Sequence, residues 1–357
     1  MSLEEVAKLA KVSTSTVSRV LNNIGPVKNT TRARVMKAVA ELKYHPNLHA
    51  RTLAGGRSRT LGVIVSNLAN PFFFDVFESL EAAALADGYD VMMANTGYEP
   101  ERLVMSIRLM IGRRVAGLAA IVSEMDTRLI QLLNDAAIPT VFYDVGPAMG
   151  KITNIAVNYR KGMEKVLDYL QTLRHQRLAF VGHHAALKPT GERQKTFEEI
   201  VSRYTPPAQF RTVVGPDSME GGQQAARELL ESGFCPTAIV CVNDFMAVGV
   251  LRELRERGLR VPADVSVTGF DNIRLSQFCS PALTTVHIPR GQIGVTAFEY
   301  LRADRDEPRM AGRNIVIEPE FIVRDSVGPA RSDSGGWEKP DCEPAGTLRA
   351  SVSPQAS

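Results

Sequence analysis

The sequence predicts an α/β protein in two parts, a small all-α unit at the amino terminus and a larger body of two doubly wound parallel-sheet lobes. Three observations predict it. Apolar residues between 3 and 42 recur at helical spacing, strand-like apolar runs alternate with helical stretches from Thr60 onward, and that alternation comes as two successive series. A length of 357 residues with 44% hydrophobic side chains allows two or three domains with real cores and excludes disorder throughout.

Ser2 followed by Glu5 forms a capping box, in which the hydroxyl and the carboxylate each accept a hydrogen bond from a free backbone N–H. A first helix follows over about residues 3–10, with Leu3, Val6, Ala7 and Leu9 or Ala10 in period. A second begins after Ser13, carries Val17, Val20 and Leu21 on its apolar side and ends at Asn22-Asn23. Only residues 11–13 separate the two, so they must turn sharply across one another. A third helix, over about 31–42, turns Val35, Ala38, Val39 and Leu42 inward, and Pro46 stops it. Three short helices with a tight first turn describe a helix-turn-helix unit.

The net charge of +3 is unevenly spread, because residues 1–59 hold eleven basic side chains against three acidic ones. That segment is +8 and the remainder −5. Lys and Arg that neutralise phosphates release condensed counterions, so the segment suits a polyanion. A merely solvated cationic face would carry the same charge, and the helix spacing decides between them. Thr14, Ser15 and Thr16 open the second helix with small polar groups, and Ser18 and Arg19 follow one turn later. Such side chains fit a major groove, where hydroxyls reach base edges or phosphates and Arg donates twice to guanine. Thr14, Ser15 and Arg19 are expected to read bases, and Thr16 to cap the helix and touch phosphate.

In the body, strands are expected at about 61–65, 89–94, 117–122 and 140–143, with helices at 72–87, 101–113 and 126–136 between them. The second series has strands at 177–181, 211–214, 237–242 and 265–269 and helices at 160–173, 190–203, 220–232 and 244–257. Short links between alternating elements give parallel sheets covered on both faces. From Gly328 the apolar period vanishes and Gly, Pro, Ser and Ala supply 17 of 30 residues, so a disordered tail with an exposed Trp337 is expected.

Several function classes are excluded or disfavoured. No apolar run approaches the ~18 residues of a membrane span, and residues 1–11 lack a signal-peptide layout, so a cytoplasmic protein without a membrane partner is expected. Cys235, Cys241, Cys279 and Cys342 match neither a disulfide scaffold nor a CxxC site, and neighbouring His183 and His184 cannot readily face one metal. They read as core or incidental thiols and as cleft-rim or solvent histidines. No metal or cofactor is expected. The GxGxxG, GxxxxGK[ST] and GxSxG signatures are all missing, which weighs against an enzyme. The alternatives are a small-molecule-binding protein or a sugar-modifying enzyme carrying a nonspecific basic segment.

The stretch VAKLAKVSTSTVSRVLNN, followed by TRARVMKAVAELKYHPNLHARTLAGGRSRTLGVIV, closely resembles the amino-terminal region of the LacI/GalR family of bacterial transcription regulators. NPFF at 70–73, ANTGYEPER at 94–102, PTAIVCVNDFMAVGVLRELRERGLRVPADVSVTGFDN at 236–272 and PALTTVHIP at 281–289 continue it in order. The resemblance implies a repressor that binds double-stranded operator DNA as a homodimer, under the control of a small-molecule effector. For DNA contact it implies Thr14, Ser15, Thr16, Ser18, Arg19 and Asn22, together with Arg51, Leu53 and Ala54 from a hinge helix at 47–57. Leu53 would wedge into the minor groove. A segment so short is no stable helix alone, and Gly55-Gly56 ends it.

The resemblance also implies a periplasmic-binding-protein-like body whose chain passes between the lobes several times. Lobe one would span about 60–155 and 285–315, lobe two about 156–284 and 316–327, with a strand at 284–288 and a helix at 291–303 returning to lobe one. Ligands of such sheets bind beyond the carboxyl ends of the strands. By that rule Asn70, Phe72, Phe73, Asp144, Asn243 and Asp271 are effector-site candidates, with Arg193 in GERQKTF near a helix start. Arg and Asp/Asn groups beside aromatic faces suit a polyhydroxylated molecule such as a sugar or related metabolite. Competing roles are core packing for at least one of the two Phe, helix capping for Asp244 and local turn bonding for Asp144. Arg193 and Asp271 match family effector contacts and are expected to satisfy each other in part. Thr196, where many members have glycine, and PDSMEG at 216–221, in place of an aromatic wall, depart from the family pattern and leave the effector open.

Overall fold

In the computed structural model, residues 2–21, 25–44, 58–123, 127–136, 138–144, 152–183, 188–303 and 312–331 are described. The chain divides at Ser58 into two units, each taken by itself. Asn22, Arg51, Leu53, Ala54, the hinge at 47–57, Cys342 and Trp337 lie outside the described residues.

The first unit contains α1 (Leu3–Ala10), α2 (Thr14–Leu21) and α3 (Asn29–Glu41). The capping box forms as expected, with Ser2 N–H donating to Glu5 at 2.7 Å and Glu5 N–H to the Ser2 hydroxyl at 3.3 Å. Lys11 ends α1 in the left-handed region at φ 53°, which reverses the chain and lets α2 start at once. Val6, Ala7, Ala10, Val17, Val20, Val35 and Ala38 form one small core from all three helices. The third helix starts two residues before the expected Thr31, since the polar Asn29 and Thr30 give no apolar signal.

The second unit begins with a six-stranded sheet. Its strands are β1 (Thr60–Val65), β2 (Asp90–Asn95), β3 (Gly117–Ile121), β4 (Thr140–Tyr143), β5 (Ile152–Val157) and β11 (Asn314–Ile317). They are ordered β11-β5-β4-β3-β1-β2, and every pair is parallel. The helices of this lobe are α4 (Pro71–Ala86), α5 (Pro100–Gly112), α6 (Thr127–Asp135) and α11 (Arg290–Ala303). The two faces follow from the period-two alternation of strand side chains. Leu61, Val63 and Val65 of β1 join Val76 and Leu80 of α4 and Ile293 and Phe298 of α11 in one core, while Ile64 meets Leu103, Ile107 and Leu133 in the other.

Lobe two holds β6 (Arg177–His183), β7 (Gln209–Gly215), β8 (Ala238–Cys241) and β9 (Ser266–Thr268), ordered β7-β6-β8-β9 and all parallel. Its helices are α7 (Tyr159–Thr172), α8 (Lys188–Val201), α9 (Met219–Glu231) and α10 (Asp244–Glu256). In both sheets the second strand lies outside the first and the third inside it, so the two lobes share one winding. No sequence repeat betrays that likeness.

Three features depart from expectation. Thr285–His287 (β10) does not return to the first sheet; it pairs antiparallel with β12 (Glu320–Ile322) in a separate ribbon, and Thr284 bridges to Thr268 of lobe two. The helix after it does return, since α11 packs along α4. β5, β11 and β12 were absent from the expected list: the polar Asn154 and Asn314 interrupt two of them, and their paired amides bond each other at 2.9 Å. Residues 328–331, expected to open the disordered tail, are ordered: Gly328 C=O accepts from His175 Nε2 at 2.9 Å, and Ala330 N–H donates to Leu173 at 2.9 Å.

Gly294 lets α11 lie against α4, because a Cβ there would stand 2.4 Å from the Val76 carbonyl and 2.8 Å from the Leu80 amide. Backbone atoms cannot step aside as a flexible side chain can. Gly294→Ala is therefore expected to destabilise the body by about 1–3 kcal/mol despite the better helix propensity of Ala. Denaturant unfolding of the variant against the parent checks this.

Candidate functional site

The chain runs to opposite sides of the sheet from β1 and β3 in lobe one, and from β6 and β8 in lobe two. Each sheet therefore opens a crevice at the carboxyl ends of those strands. Between the two crevices lies a cavity of about 40 Å³, lined among others by Asn70, Phe72, Phe73, Arg193, Asn243 and Asp271. Six of the seven residues expected at the cleft thus come together there.

Asn70 and Asn243 have parallel origins. Each follows a strand and caps the next helix, its side-chain oxygen accepting from Phe72 N–H at 3.1 Å and from Met246 N–H at 2.8 Å. Phe72 and Phe73 stand edge to face at 5.4 Å between ring centroids, and both belong to the lobe-one core as well as the cavity wall. Asp244 does not cap α10. It is fully buried, accepting from Ile273 N–H at 2.9 Å and from the Thr285 hydroxyl at 2.5 Å, and so anchors the segment that carries Asp271.

Arg193 is buried, donates to the Val242 carbonyl at 2.6 Å and lies 4.6 Å from the Tyr159 ring centroid. Its nearest approach to Asp271 is 3.8 Å, so the two share charge attraction rather than a close hydrogen bond. Asp271 sits at φ 102°, a conformation costly for a non-glycine residue, and its backbone carbonyl accepts from Arg290. Arg290 also reaches Asp75 of α4 at 2.9 Å, tying the Asp271 segment to lobe one.

Asp144 is the exception among the expected residues. Its carboxylate accepts from Val157 N–H at 2.9 Å and from the Tyr159 hydroxyl, so it stands behind the cavity wall and fixes the Tyr159 ring. The Tyr143 and Tyr159 hydroxyls also meet at 3.0 Å. His183, expected at rim or solvent, is buried and packs against Tyr98 at 4.9 Å between ring centroids.

Sequence reasoning missed Tyr98, Val122, Ser123, Tyr143, Tyr159 and Asp217 in the lining. The rule that found Asn243 would have found five of them. Tyr98 and Asp217 follow β2 and β7, Val122 and Ser123 follow β3, and Tyr143 ends β4. Tyr159 was hidden because the strand before it went unrecognised.

Burial pushes the Asp144 carboxyl up to about 6, against the Tyr159 and Val157 hydrogen bonds that favour its charge. Burial likewise pushes Asp271 up to about 7, with Arg193 and Arg290 pulling it back and Asp217 adding repulsion. Burial holds the Tyr143 and Tyr159 hydroxyls well above the usual tyrosine range. The cleft therefore offers neutral donors and acceptors, one buried guanidinium and, in Asp271, a carboxyl poised near neutrality.

On the helix-turn-helix unit, Thr14, Ser15 and Arg19 are exposed, while Thr16 and Ser18 are half-buried. Ser13 caps α2, its hydroxyl accepting from Thr16 N–H at 3.2 Å and pairing with the Thr16 and Ser15 hydroxyls at 2.9 and 2.8 Å. Thr16 is thus engaged locally, and Thr14 and Arg19 are the freer to meet a partner.

Residues 2–47 match the model for bacterial regulatory proteins of the lacI family, and residues 167–327 match the periplasmic binding protein-like domain. The HTH-type transcriptional repressor PurR of Vibrio vulnificus is 34% identical over 328 residues, spanning 91% of this chain and 98% of that protein. The chain belongs to the LacI family of bacterial regulators. Among solved structures, the Lac repressor dimer bound to operator and the anti-inducer ONPF shares 27% identity at a TM-score of 0.78, over 92% of this chain and 99% of that one. A LacI family regulator from Enterococcus faecium with bound ribose shares 27% at a TM-score of 0.69, over 76% and 100%. Like its LacI family relatives, the protein is an effector-controlled, DNA-binding transcription repressor and not an enzyme.

A carboxyl raised on folding keeps its proton where the unfolded chain has lost it, so its contribution to stability falls as pH rises from about 4 to about 7. The stability of the parent relative to Asp271→Asn is expected to decline over that window, by at most about 1.4 kcal/mol per pH unit, and to level off above it. Denaturant unfolding of both proteins from pH 4 to 8 checks this. A constant difference would contradict it.

Proposed function

We propose that the protein is a cytoplasmic homodimeric repressor whose operator affinity is set by an uncharged, polyhydroxylated metabolite, a sugar or a close relative, held between the two lobes. The carrying observation is the convergence of Asn70, Phe72, Phe73, Arg193, Asn243 and Asp271, from both sheets, on one cavity. Amides, one guanidinium and aromatic faces match a molecule with hydroxyls around a C–H surface. The ribose held by the Enterococcus faecium relative fits that class.

At about 40 Å³ the cavity takes a few waters, far below the roughly 300 Å³ or more of a pocket enclosing a sugar-sized ligand. Effector binding must therefore separate the lobes or rearrange the walls. A ligand shifts such an equilibrium only by its differential affinity for the two arrangements. The effector thus acts through unequal contacts to the two lobes, and the change in lobe angle alters the spacing of the paired hinge segments.

On DNA, Thr14, Ser15 and Arg19 read bases in the major groove, and Thr16, Ser18 and Asn22 support the contact. Arg51, Leu53 and Ala54 enter the minor groove, with Leu53 as the wedge. Two copies read a pseudo-palindromic operator. Phe278, 74% exposed beside the partly exposed Leu275, supplies apolar surface for a second copy to cover.

Leu53→Ala is expected to weaken operator binding and bending at least tenfold while leaving cleft binding intact, and Arg193→Gln to do the reverse. Thermal-shift screening of neutral sugars, nucleobases and sugar phosphates identifies the cleft ligand, and operator gel shifts complete the comparison. Normal operator bending by Leu53→Ala would refute the hinge assignment. Operator affinity indifferent to every cleft ligand would refute the regulatory reading.

A further inference from the structure

Asp217 follows β7 in lobe two, within the segment that departs from the family's aromatic wall. Its carboxylate accepts side-chain hydrogen bonds from Asn67 at 3.2 Å, Asn70 at 3.2 Å, Tyr98 at 2.5 Å and Asn243 at 2.7 Å. The first three donors belong to lobe one and the fourth to lobe two.

The donors are aimed in advance. Asn67 commits its side-chain oxygen to Ala69 N–H at 3.0 Å, Asn70 to Phe72 N–H at 3.1 Å and Asn243 to Met246 N–H at 2.8 Å. With each oxygen engaged in a turn or helix cap, each amide nitrogen is turned toward Asp217, that of Asn67 donating also to the Asp217 backbone carbonyl at 3.0 Å. Tyr98 contributes its hydroxyl from a backbone at φ 64°, a conformation costly for an aromatic residue. Asp217 is 8% exposed, and among the described residues no cation pairs with it. Among the described residues, neutral donors offset the loss of its hydration.

We infer that Asn67, Asn70, Tyr98 and Asn243 form a carboxylate-binding site spanning both lobes, and that Asp217 is its tethered occupant. The chain's own acid then holds the lobes together. A small carboxylate is the class of molecule able to take its place. This goes beyond the effector reading and needs neither operator nor effector to be tested.

The test is thermal unfolding of the full chain and of Asp217→Ala and Asp217→Asn in sodium acetate or formate, against sodium chloride at equal ionic strength. Asp217→Ala should melt several degrees below the parent. Acetate and formate should restore it saturably where chloride does not, and the parent and Asp217→Asn, whose sites are filled, should gain nothing beyond chloride. Asp217→Ala melting with the parent, or responding to acetate and chloride alike, would overturn the inference. Should that variant not fold, Asn67→Ala combined with Tyr98→Phe removes two donors from the opposite lobe. It should also lower the melting temperature, and parent-like melting would overturn the inference equally.

Discussion

Polar side chains at the carboxyl ends of two opposed sheets must be satisfied with little help from water, and the architecture of the body follows from that constraint. Strand ends deliver backbone and side-chain polar groups to a place where an unpaired group costs about 1–3 kcal/mol. Here they are answered by partners within a lobe or across the cleft. Arg193 takes the Val242 carbonyl and the faces of Tyr159 and Phe270, Asp144 takes Tyr159, and Asp217 takes donors from both lobes. The apolar layers beneath need only hold the two sheets in one winding. The residues above decide what the space between them accepts.

That division explains which parts of the molecule can be read from the sequence. Long amphipathic helices and apolar strands announced themselves: α1, α2, β1, β3 and α10 begin and end within a few residues of where spacing and caps put them. Strand β5 and the edge strand β11 beside it did not, because they carry asparagines that pair with each other and with nothing visible in sequence. Strand β10 was misplaced for a related reason. Thr285, Val286 and His287, with one apolar side chain among them, do not say whether they join a sheet or a two-stranded ribbon, and the antiparallel pairing with β12 decides it.

The cleft was legible to the extent that position along a strand determines it. Asn70, Phe72, Phe73, Asn243 and Asp271 followed from that rule, with Arg193 supplied by motif resemblance. Asp144 passed the same rule and still stands one layer back, because its left-handed backbone at φ 57° turns the carboxylate toward the Val157 amide. Asp217 escaped notice because its segment had lost the family pattern, and it is the residue with the most cross-lobe partners. Departure from a pattern marked a new contact rather than a missing one. The exposed side of α2, by contrast, was readable outright, since Thr14, Ser15 and Arg19 are exposed as the apolar spacing requires.

The account links a cleft to a DNA-reading unit through the lobes, so its central claim is a coupling free energy. Such coupling is reciprocal: if a cleft ligand changes operator affinity by some factor, operator must change affinity for that ligand by the same factor. Isothermal titration of the ligand into the full chain, alone and saturated with operator duplex, measures it directly. The account predicts dissociation constants that differ by about 5- to 150-fold between the two titrations. Equal constants would show that the cleft and the operator do not communicate.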